Sequence, residues 1–229
     1  MKQFYLNSPL GAGTFRLPRP LARRLHRVLR LKKGQTIGLF NGRDGLWRAT
    51  LTDPSEGLVA LEEQVKAQPQ PSETHLFLAL AKRDAFDRAV RFATELGASH
   101  IHPVTTEFSV PDKLKTERLE TIITEAAEQC ERLTLPEMSA AKDLQQAIAG
   151  FSGRIFWADE SPKDDPFQGW QNAGAAGVLI GPEGGFSDKE RTWLRQQSHI
   201  IPVGLGQNIL RVDTAVCAGL TLLSGQREF

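Results

Sequence analysis

Apolar residues follow two different patterns along this 229-residue chain. Up to residue 66 they come in short runs, bounded by turn-forming Gly, Pro and Asn, that are typical of strands. These runs predict strands at 4–6, 36–40, 46–51 and 58–65. The stretch 20–30 differs because its apolar residues recur at helical spacing. It predicts a helix with one buried stripe, formed by Leu21, Leu25, Val28 and Leu29.

Beyond residue 74, strand-length and helix-length patterns alternate. Apolar runs predict strands at 76–80, 101–104, 155–158, 178–180 and 200–203. Amphipathic or apolar stretches of helical period predict helices at 85–96, 113–131, 144–149, 187–197 and 214–223. This alternation predicts an α/β fold with a mainly parallel sheet. The polar, proline-containing stretch 67–72 is the predicted linker, so residues 1–68 and 74–229 are the predicted domains.

Two loops that follow predicted strands carry the candidate chemistry. The first, GPEGGF at 181–186, contains three glycines that let a ligand approach bare backbone. Ser187 and Glu190 after it predict a capping box, worth about 1 kcal/mol at a helix start. The second, LGQNILR at 205–211, places two apolar side chains before Arg211. One such loop alone is equally well an ordinary strand-to-helix turn, whereas two in series favour a mostly apolar pocket for an adenosine-like ligand.

Charge is distributed unevenly along the chain. Ten of the 28 lysines and arginines, and none of the 27 acidic residues, lie in residues 1–43, so this segment is formally +10 and the remainder is −9. Arginines on one part of an otherwise acidic protein favour a nucleic-acid partner. Within the predicted helix, Arg23, Arg27 and Arg30 fall opposite the apolar stripe. The alternative is a solvated basic helix with no partner.

Other features set limits on the class of protein. Cys130 and Cys217 fall on apolar helix faces without CxxC spacing, so we expect buried free thiols in a reducing compartment. Apolar runs stay well short of the roughly 20 residues that span a bilayer, which predicts a soluble, cytoplasmic protein without a membrane partner. His100 and His102 share one face of a strand, but a pair of histidines without further ligands predicts no metal site.

GPEGGFS at 181–187 and LGQNILRVDTA at 205–215 together resemble the paired cofactor loops of the RsmE family. These are SPOUT-class methyltransferases that methylate N3 of a uridine in 16S ribosomal RNA. The resemblance extends over nearly the whole chain, through segments 26–30, 93–97, 106–110 and 128–132. The two C-terminal motifs are specific, and the other segments corroborate them.

The resemblance implies a fold, a cofactor and partners. Residues 1–68 would form a PUA-like RNA-binding β-barrel, and residues 74–229 a SPOUT domain with a C-terminal trefoil knot. The protein would act as a homodimer on 16S rRNA or the small ribosomal subunit, with S-adenosylmethionine bound in the knot. The implied cofactor contacts are Leu179, Ile180, Gly181, Glu183, Gly184, Leu205, Gly206, Ile209, Leu210 and Thr214. The expected RNA contacts are Arg16, Arg23, Arg27 and Arg30.

Methyl transfer to N3 of uracil sets the expected catalytic roles. The transfer is an in-line displacement, which positioning in a desolvated site accelerates, and the N3 proton must leave. Arg211 is the expected stabiliser of negative charge on the uracil oxygens, and Asp213 and Glu183 are the candidate proton acceptors or orienting groups. The chain departs from the family pattern at Phe92 and Phe108, where basic residues are common, and at Asp213, where Glu is usual.

Three alternatives remain open at this point. The same fold can methylate transfer RNA or a ribose 2′-hydroxyl. The chain can also be a non-catalytic RNA-binding module of ribosome assembly. A dinucleotide-dependent oxidoreductase is disfavoured because no GxGxxG follows the first strand of the α/β part.

Overall fold

A computed structural model describes residues 1–70, 73–110, 114–159 and 175–224. The chain forms two compact units. The first comprises Met1–Pro71 and Ala127–Leu135, and the second comprises Ser72–Ala126 and Pro136–Phe229. The end of the predicted linker, at 71 and 72, and the start of the predicted helix at 113 lie outside the described residues. No helix in the described ranges is long and apolar enough to cross a membrane.

The first unit is built on one sheet. Its strands are β1 (Gln3–Tyr5), β2 (Gly13–Arg16), β3 (Thr36–Phe40), β4 (Leu46–Asp53) and β5 (Leu58–Lys66), in the order β1-β3-β4-β5-β2. All neighbours are antiparallel except β1 and β3. The four predicted strands are confirmed within a few residues, whereas β2, in a stretch rich in Gly and Pro, was missed. One sheet face packs a core around Phe4, Leu25, Ile37 and Leu51.

The predicted helix over 20–30 is shorter than expected and changes type. Helix α1 (Arg19–Arg23) runs directly into a π-helical segment (Arg24–Val28), where the Leu29 amide donates to the Arg24 carbonyl at 2.9 Å. Arg30 then has φ 53°, which reverses the chain. A π turn rotates later residues away from the α-helical stripe. Leu25 is therefore buried as predicted, but Val28 is 71% exposed, so its predicted place in the stripe is wrong.

The second unit contains a parallel sheet, as predicted. Its strands are β6 (Thr74–Ala79), β7 (His100–Thr105), β8 (Glu137–Met138), β9 (Lys142–Asp143), β10 (Arg154–Ala158), β11 (Ala176–Ile180) and β12 (Ile200–Val203). The order is β12-β10-β11-β6-β7-β8, with β9 also paired to β7, and all of these strand pairs are parallel. The short strands β8 and β9 have too few residues to give a periodic signal and were not predicted.

The helices that follow β6 in the chain are α2 (Arg83–Glu95), α3 (Thr116–Gln129), α4 (Leu144–Ala149), α5 (Asp188–Arg195) and α6 (Val212–Ser224). Helix α6 covers one face of this sheet, and α4 and α5 cover the other. Successive strand residues point to opposite faces. Val178 and Ile180 therefore meet Gly219 of α6, which packs beside α2, while Leu179 joins the core under α4 and α5. The all-round apolar character of α6 follows from this buried position.

The two cysteines differ in burial. Cys217 on α6 is partly buried, and burial raises the pKa of its thiol. Cys130 is exposed, so the expectation of a buried thiol is wrong there. It follows the last residue of α3, where the chain leaves the helix and its apolar face no longer determines which side chains are covered.

Candidate functional site

The two glycine-containing loops meet at one edge of the parallel sheet. Strands β10, β11 and β12 are neighbours, so their carboxyl ends lie side by side. The loop after β11 and the loop after β12 line a common cavity of about 520 Å³, together with Ala158 and Asp159 at the end of β10. This loop cavity is where open parallel sheets generally bind ligands. The prediction that both loops form one pocket is confirmed.

Apolar side chains and glycine backbone form much of the wall of the loop cavity. Ile180, Phe186, Leu205 and Leu210 contribute the apolar part. Gly206 has φ +119°, a conformation that residues with a side chain rarely adopt, so the turn after β12 depends on glycine. Ile209 stands at the rim and is 84% exposed. Backbone donors and acceptors beside apolar walls suit a flat heteroaromatic ligand with a few hydrogen-bonding groups.

Helix α5 holds the first loop in place. Ser187 caps the helix, and the Ser187 amide donates to Glu190 Oε2 at 2.9 Å, so the predicted capping box is confirmed. Arg191 Nε donates to the Phe186 carbonyl at 3.0 Å. The guanidinium of Arg191 also pairs with Asp159, whose other oxygen accepts from Arg195 Nη2 at 2.8 Å. These contacts fix the loop against the end of β10.

Asp159 and Arg191 were missed by the sequence reasoning although both line the loop cavity. Asp159 directly follows the last residue of a buried strand, and this position in the sequence could have predicted its place in the cavity. Arg191 carried no comparable signal, because only the tertiary structure brings its guanidinium to the sheet edge.

Glu183 and Arg211 lie between the loop cavity and a second cavity of about 740 Å³. Glu183 Oε1 accepts from the Lys82 amide at 3.2 Å, at the start of α2, where the helix dipole favours a carboxylate. Arg211 is exposed, and no carboxylate of the described residues pairs with it. The second cavity is lined by four cationic and three acidic side chains, together with Ala85 and Val212. Charged side chains thus make up a larger share of its lining than of the loop cavity's lining.

Asp213 belongs to the second cavity only. Its side chain is largely buried, and its Oδ2 accepts from Arg88 Nε of α2 at 2.5 Å. The hydrogen bond from Arg88 lowers the pKa of Asp213, and the same contact raises that of Arg88. A carboxylate held in this way is a weaker base than a free one. Arg88 was also missed, because its partner lies 125 positions away in the chain.

The remaining predicted cofactor residues divide into two groups. Those that line the loop cavity are Ile180, Gly181, Glu183, Leu205, Gly206, Ile209 and Leu210. Leu179 is fully buried in the core instead. Gly184 packs under Phe108, where a Cβ would lie 3.0 Å from the Phe108 Cβ. Thr214 is exposed on α6 and is not among the residues that line either cavity.

The predicted RNA-binding arginines all lie in the first unit. Arg23, Arg27 and Arg30 are exposed, and we call these three residues the arginine surface. No carboxylate within the described ranges pairs with any of the three. Arg16 differs, since its Nη1 lies 3.1 Å from Glu56 Oε2. The adjacent Arg24 is also paired, with Glu128 at 2.7 Å.

Two family models match the chain. Residues 25–64 match an RNA methyltransferase PUA domain, and residues 68–224 match an RNA methyltransferase domain. The second match alone covers more than half of the chain and contains both loops.

Curated relatives are similar over most of their length. The chain is 37% identical to the ribosomal RNA small subunit methyltransferase E of Synechocystis, over 89% of this chain and 70% of the relative. It is 32% identical to the protein of the same name from Rickettsia conorii, over 84% of this chain and 82% of the relative.

Solved structures share the fold. The ribosomal RNA small subunit methyltransferase E of Neisseria gonorrhoeae, solved with S-adenosylmethionine, aligns with a TM-score of 0.87 at 24% identity, over 98% of this chain and 97% of that one. A predicted RNA methyltransferase from Thermotoga maritima aligns with a TM-score of 0.74 at 26% identity, over 99% of both chains.

Proposed function

The chain belongs to the ribosomal RNA small subunit methyltransferase E family, and on that premise we propose that it transfers the methyl group of S-adenosylmethionine to N3 of a uridine in 16S rRNA. The observation that carries the proposal is the convergence of two glycine-containing loops on one cavity at the carboxyl edge of a parallel sheet. The reaction is a methyltransferase reaction on small-subunit rRNA, as in the named relatives, and the position of the methyl group is our inference.

The loop cavity fits S-adenosylmethionine. Its volume of about 520 Å³ is in the range of pockets for ligands of this size. The apolar walls suit the adenine ring, and the backbone of Gly181 and Gly206, which also lines the cavity, can supply hydrogen bonds to the cofactor. When bound, the cofactor supplies an electrophilic methyl group on a sulfonium. We propose that Leu179, Gly184 and Thr214 contribute through backbone or indirect packing, since their side chains do not line the cavity.

The second cavity is the proposed position of the target uridine. It adjoins the loop cavity through Glu183 and Arg211, so a base held there reaches the methyl group without leaving the protein surface. We propose that Arg211 donates to a uracil oxygen and stabilises the negative charge that develops as the N3 proton leaves. The polar lining is also suited to a nucleotide with its phosphate, which Lys82 or Arg83 can bind.

The two carboxylates have different proposed roles. Among the described residues, only a backbone amide holds Glu183, which is exposed, so it is our first choice for accepting the N3 proton. Asp213 is paired with Arg88, and its lowered pKa makes it a poorer base. We propose that Asp213 orients Arg88 toward the substrate and does not itself take the proton.

The first unit is the proposed RNA-binding domain, as its match to the PUA domain model suggests. Exposed arginines without a carboxylate partner are free to bind phosphate oxygens in a forked geometry. The arginine surface meets this description better than Arg16, which is paired with Glu56 and must exchange that partner for RNA.

Three further features are proposals that follow from the family. They are a C-terminal trefoil knot, a cytoplasmic site of action on the ribosome or its RNA, and a homodimer. The partly exposed or exposed positions of α6 form a stripe of mostly small residues, which are Thr214, Cys217, Ala218, Thr221, Leu222 and Ser224. Such a stripe permits close packing against a second copy. Light scattering of the purified chain measures whether the dimer forms.

The decisive experiment is mass spectrometry of RNA from cells that lack the protein. We expect one uridine of 16S rRNA to lose a methyl group on N3, and wild-type protein to restore it. Loss from transfer RNA or from a ribose hydroxyl would assign the same fold to another substrate. Unchanged RNA, together with no S-adenosylmethionine binding in calorimetry, would instead indicate a non-catalytic assembly module.

A further inference from the structure

Histidines and glutamates gather at the amino-terminal ends of two neighbouring strands. His75 of β6 lies in register with His100 of β7, and Phe77 with His102. Residues two apart on a strand share a face, so Glu73, His75, His100 and His102 lie on one side of the sheet. This histidine cluster is at the opposite edge of the sheet from the loop cavity, because parallel strands all point the same way.

We propose that Glu73, His75 and His100 bind a divalent transition-metal ion of the Zn²⁺ type. One ligand atom from each residue lies within 4.8 Å of the other two, and Glu73 Oε2 is 3.4 Å from His75 Nε2. Two imidazole nitrogens and one carboxylate oxygen form a donor set that zinc prefers. A water molecule completes a tetrahedral site.

His75 is the fixed ligand of the three. Its side chain is only 10% exposed, and its Nδ1 is hydrogen-bonded to His102 Nε2 at 2.9 Å. This bond sets the orientation of the ring and directs Nε2 toward Glu73. A hydrogen bond to the second ring nitrogen is the usual support of a metal-binding histidine. His102 thus serves as the orienting partner, and Ser139 Oγ lies 3.4 Å from its other nitrogen.

The other two ligands must move inward when the ion binds. Ligands on tetrahedral zinc stand about 3.4 Å apart, because each lies about 2.0–2.1 Å from the ion. The imidazoles of His75 and His100 are stacked with centroids 4.3 Å apart, so the His100 ring has to rotate. The exposed fractions of the side chains, 31% for His100 and 64% for Glu73, leave room for that rotation. Glu137 Oε2, 3.7 Å from His100 Nε2, is available as a fourth ligand in place of water.

The proposal reverses the expectation from sequence that this region holds no metal. That expectation considered only His100 and His102, which lie two positions apart on one face of β7. The third histidine comes from β6 and the carboxylate from the residue just before it, 25 or more positions earlier, and only strand pairing brings them together. An ion there links the starts of β6 and β7, so we assign it a stabilising role in the domain and no part in methyl transfer.

Titration of tag-free protein with ZnCl₂ in a non-chelating buffer tests the site. Calorimetry should give one saturable site per chain, and thermal unfolding should shift to a higher Tm. His100→Gln and Glu73→Gln should each weaken binding at least tenfold and remove the Tm shift. Glu73 is exposed, so its substitution tests the site even if a histidine variant folds poorly. His26→Gln, an exposed histidine of the first unit, is the matched control and should bind as the wild type does.

Co²⁺ in place of Zn²⁺ provides a second measurement. A tetrahedral site with nitrogen and oxygen ligands gives intense visible absorption bands, which Glu73→Gln should abolish. Weak binding at several sites, equal in wild type and variants, would show an adventitious ion only and would overturn the proposal. So would the absence of any saturable binding. Methyl transfer should be unchanged in Glu73→Gln, so the outcome is independent of the proposed activity.

Discussion

The two buried carboxylates of the second unit's cavities and the arginine surface of the first unit hold their charges in opposite ways. In the cavities, Asp159 is enclosed by Arg191 and Arg195, and Asp213 is held by Arg88. On the arginine surface, no carboxylate of the described residues pairs with the guanidinium groups. A charge held in an ion pair acts through the fixed position of the paired groups. Exposed charges instead attract a ligand electrostatically, and this attraction is screened by salt and roughly additive. Substitutions in the two regions should therefore reduce activity in different ways.

The largest effect is expected from Arg211→Ala. Removing a donor to developing negative charge typically lowers kcat by about 10²–10³-fold. Affinity for S-adenosylmethionine should change little, because much of the cavity wall is glycine backbone and apolar side chain. Single-turnover methylation and calorimetry on the same preparation measure the two quantities.

Arg211→Lys is the matched control for charge. It keeps the positive charge but loses the planar fork, so we expect partial activity if geometry is the important property. Methylation by Arg211→Ala at the wild-type rate would remove this residue from the mechanism.

A smaller loss of activity is expected from breaking the ion pair between Arg88 and Asp213. Arg88→Ala and Asp213→Asn should each reduce kcat/KM about tenfold, equivalent to about 1.4 kcal/mol. Because the two side chains act as one unit, the double variant should be little worse than either single one. Additive losses would show that the residues act separately, and a pH–rate profile that loses its acidic limb only in Asp213→Asn would make Asp213 the base. Glu183→Gln, tested in parallel, should lose that limb instead.

Neutralising the arginine surface should weaken RNA binding by an amount that depends on the salt concentration. Replacing Arg23, Arg27 and Arg30 with Gln should weaken RNA binding and reduce the slope of log affinity against log salt by roughly 0.7 per lost single-strand phosphate contact. The matched control replaces the exposed Lys66, Lys142 and Lys189, which removes the same net charge. An equal change in slope in both variants would mean that total charge, and not the arginine surface, determines RNA binding.

Much of the fold was predictable because its signals are local. Strands β10, β11 and β12 are short apolar runs, and the capping box at Ser187 is a four-residue pattern. The exposure of Val28 was not predictable, because the spacing of apolar residues in the sequence does not indicate the π-helical hydrogen bond that turns Val28 outward. Cys130 was misjudged for a related reason, since the helix ends just before it.

Prediction of the candidate site was also limited to signals that are local in the sequence. Its loops were predicted because each follows an apolar strand and carries its glycines within a few residues. The groups that set its electrostatics come from elsewhere in the chain. Arg88 reaches Asp213, and Arg191 reaches Asp159, only after the helices dock on the sheet. The sequence alone indicated which loops line the cavity, but not which arginines pair with the carboxylates there.

The smallest expected effect is on stability as a function of pH. The contact with Arg88 depresses the pKa of Asp213 in the folded chain, so the unfolded state binds the proton more readily. The resulting stabilisation is complete above the ordinary aspartate pKa of about 3.9 and is lost as pH falls through the folded value. Urea unfolding of wild type and Asp213→Asn should therefore differ by a constant amount at neutral pH, and the difference should begin to shrink as pH falls below about 3.9. Neutralising the arginine surface should produce no such convergence, because no carboxylate there depends on it. A difference between wild type and Asp213→Asn that stays constant with pH would mean that the aspartate contributes through packing, with its ion pair adding nothing.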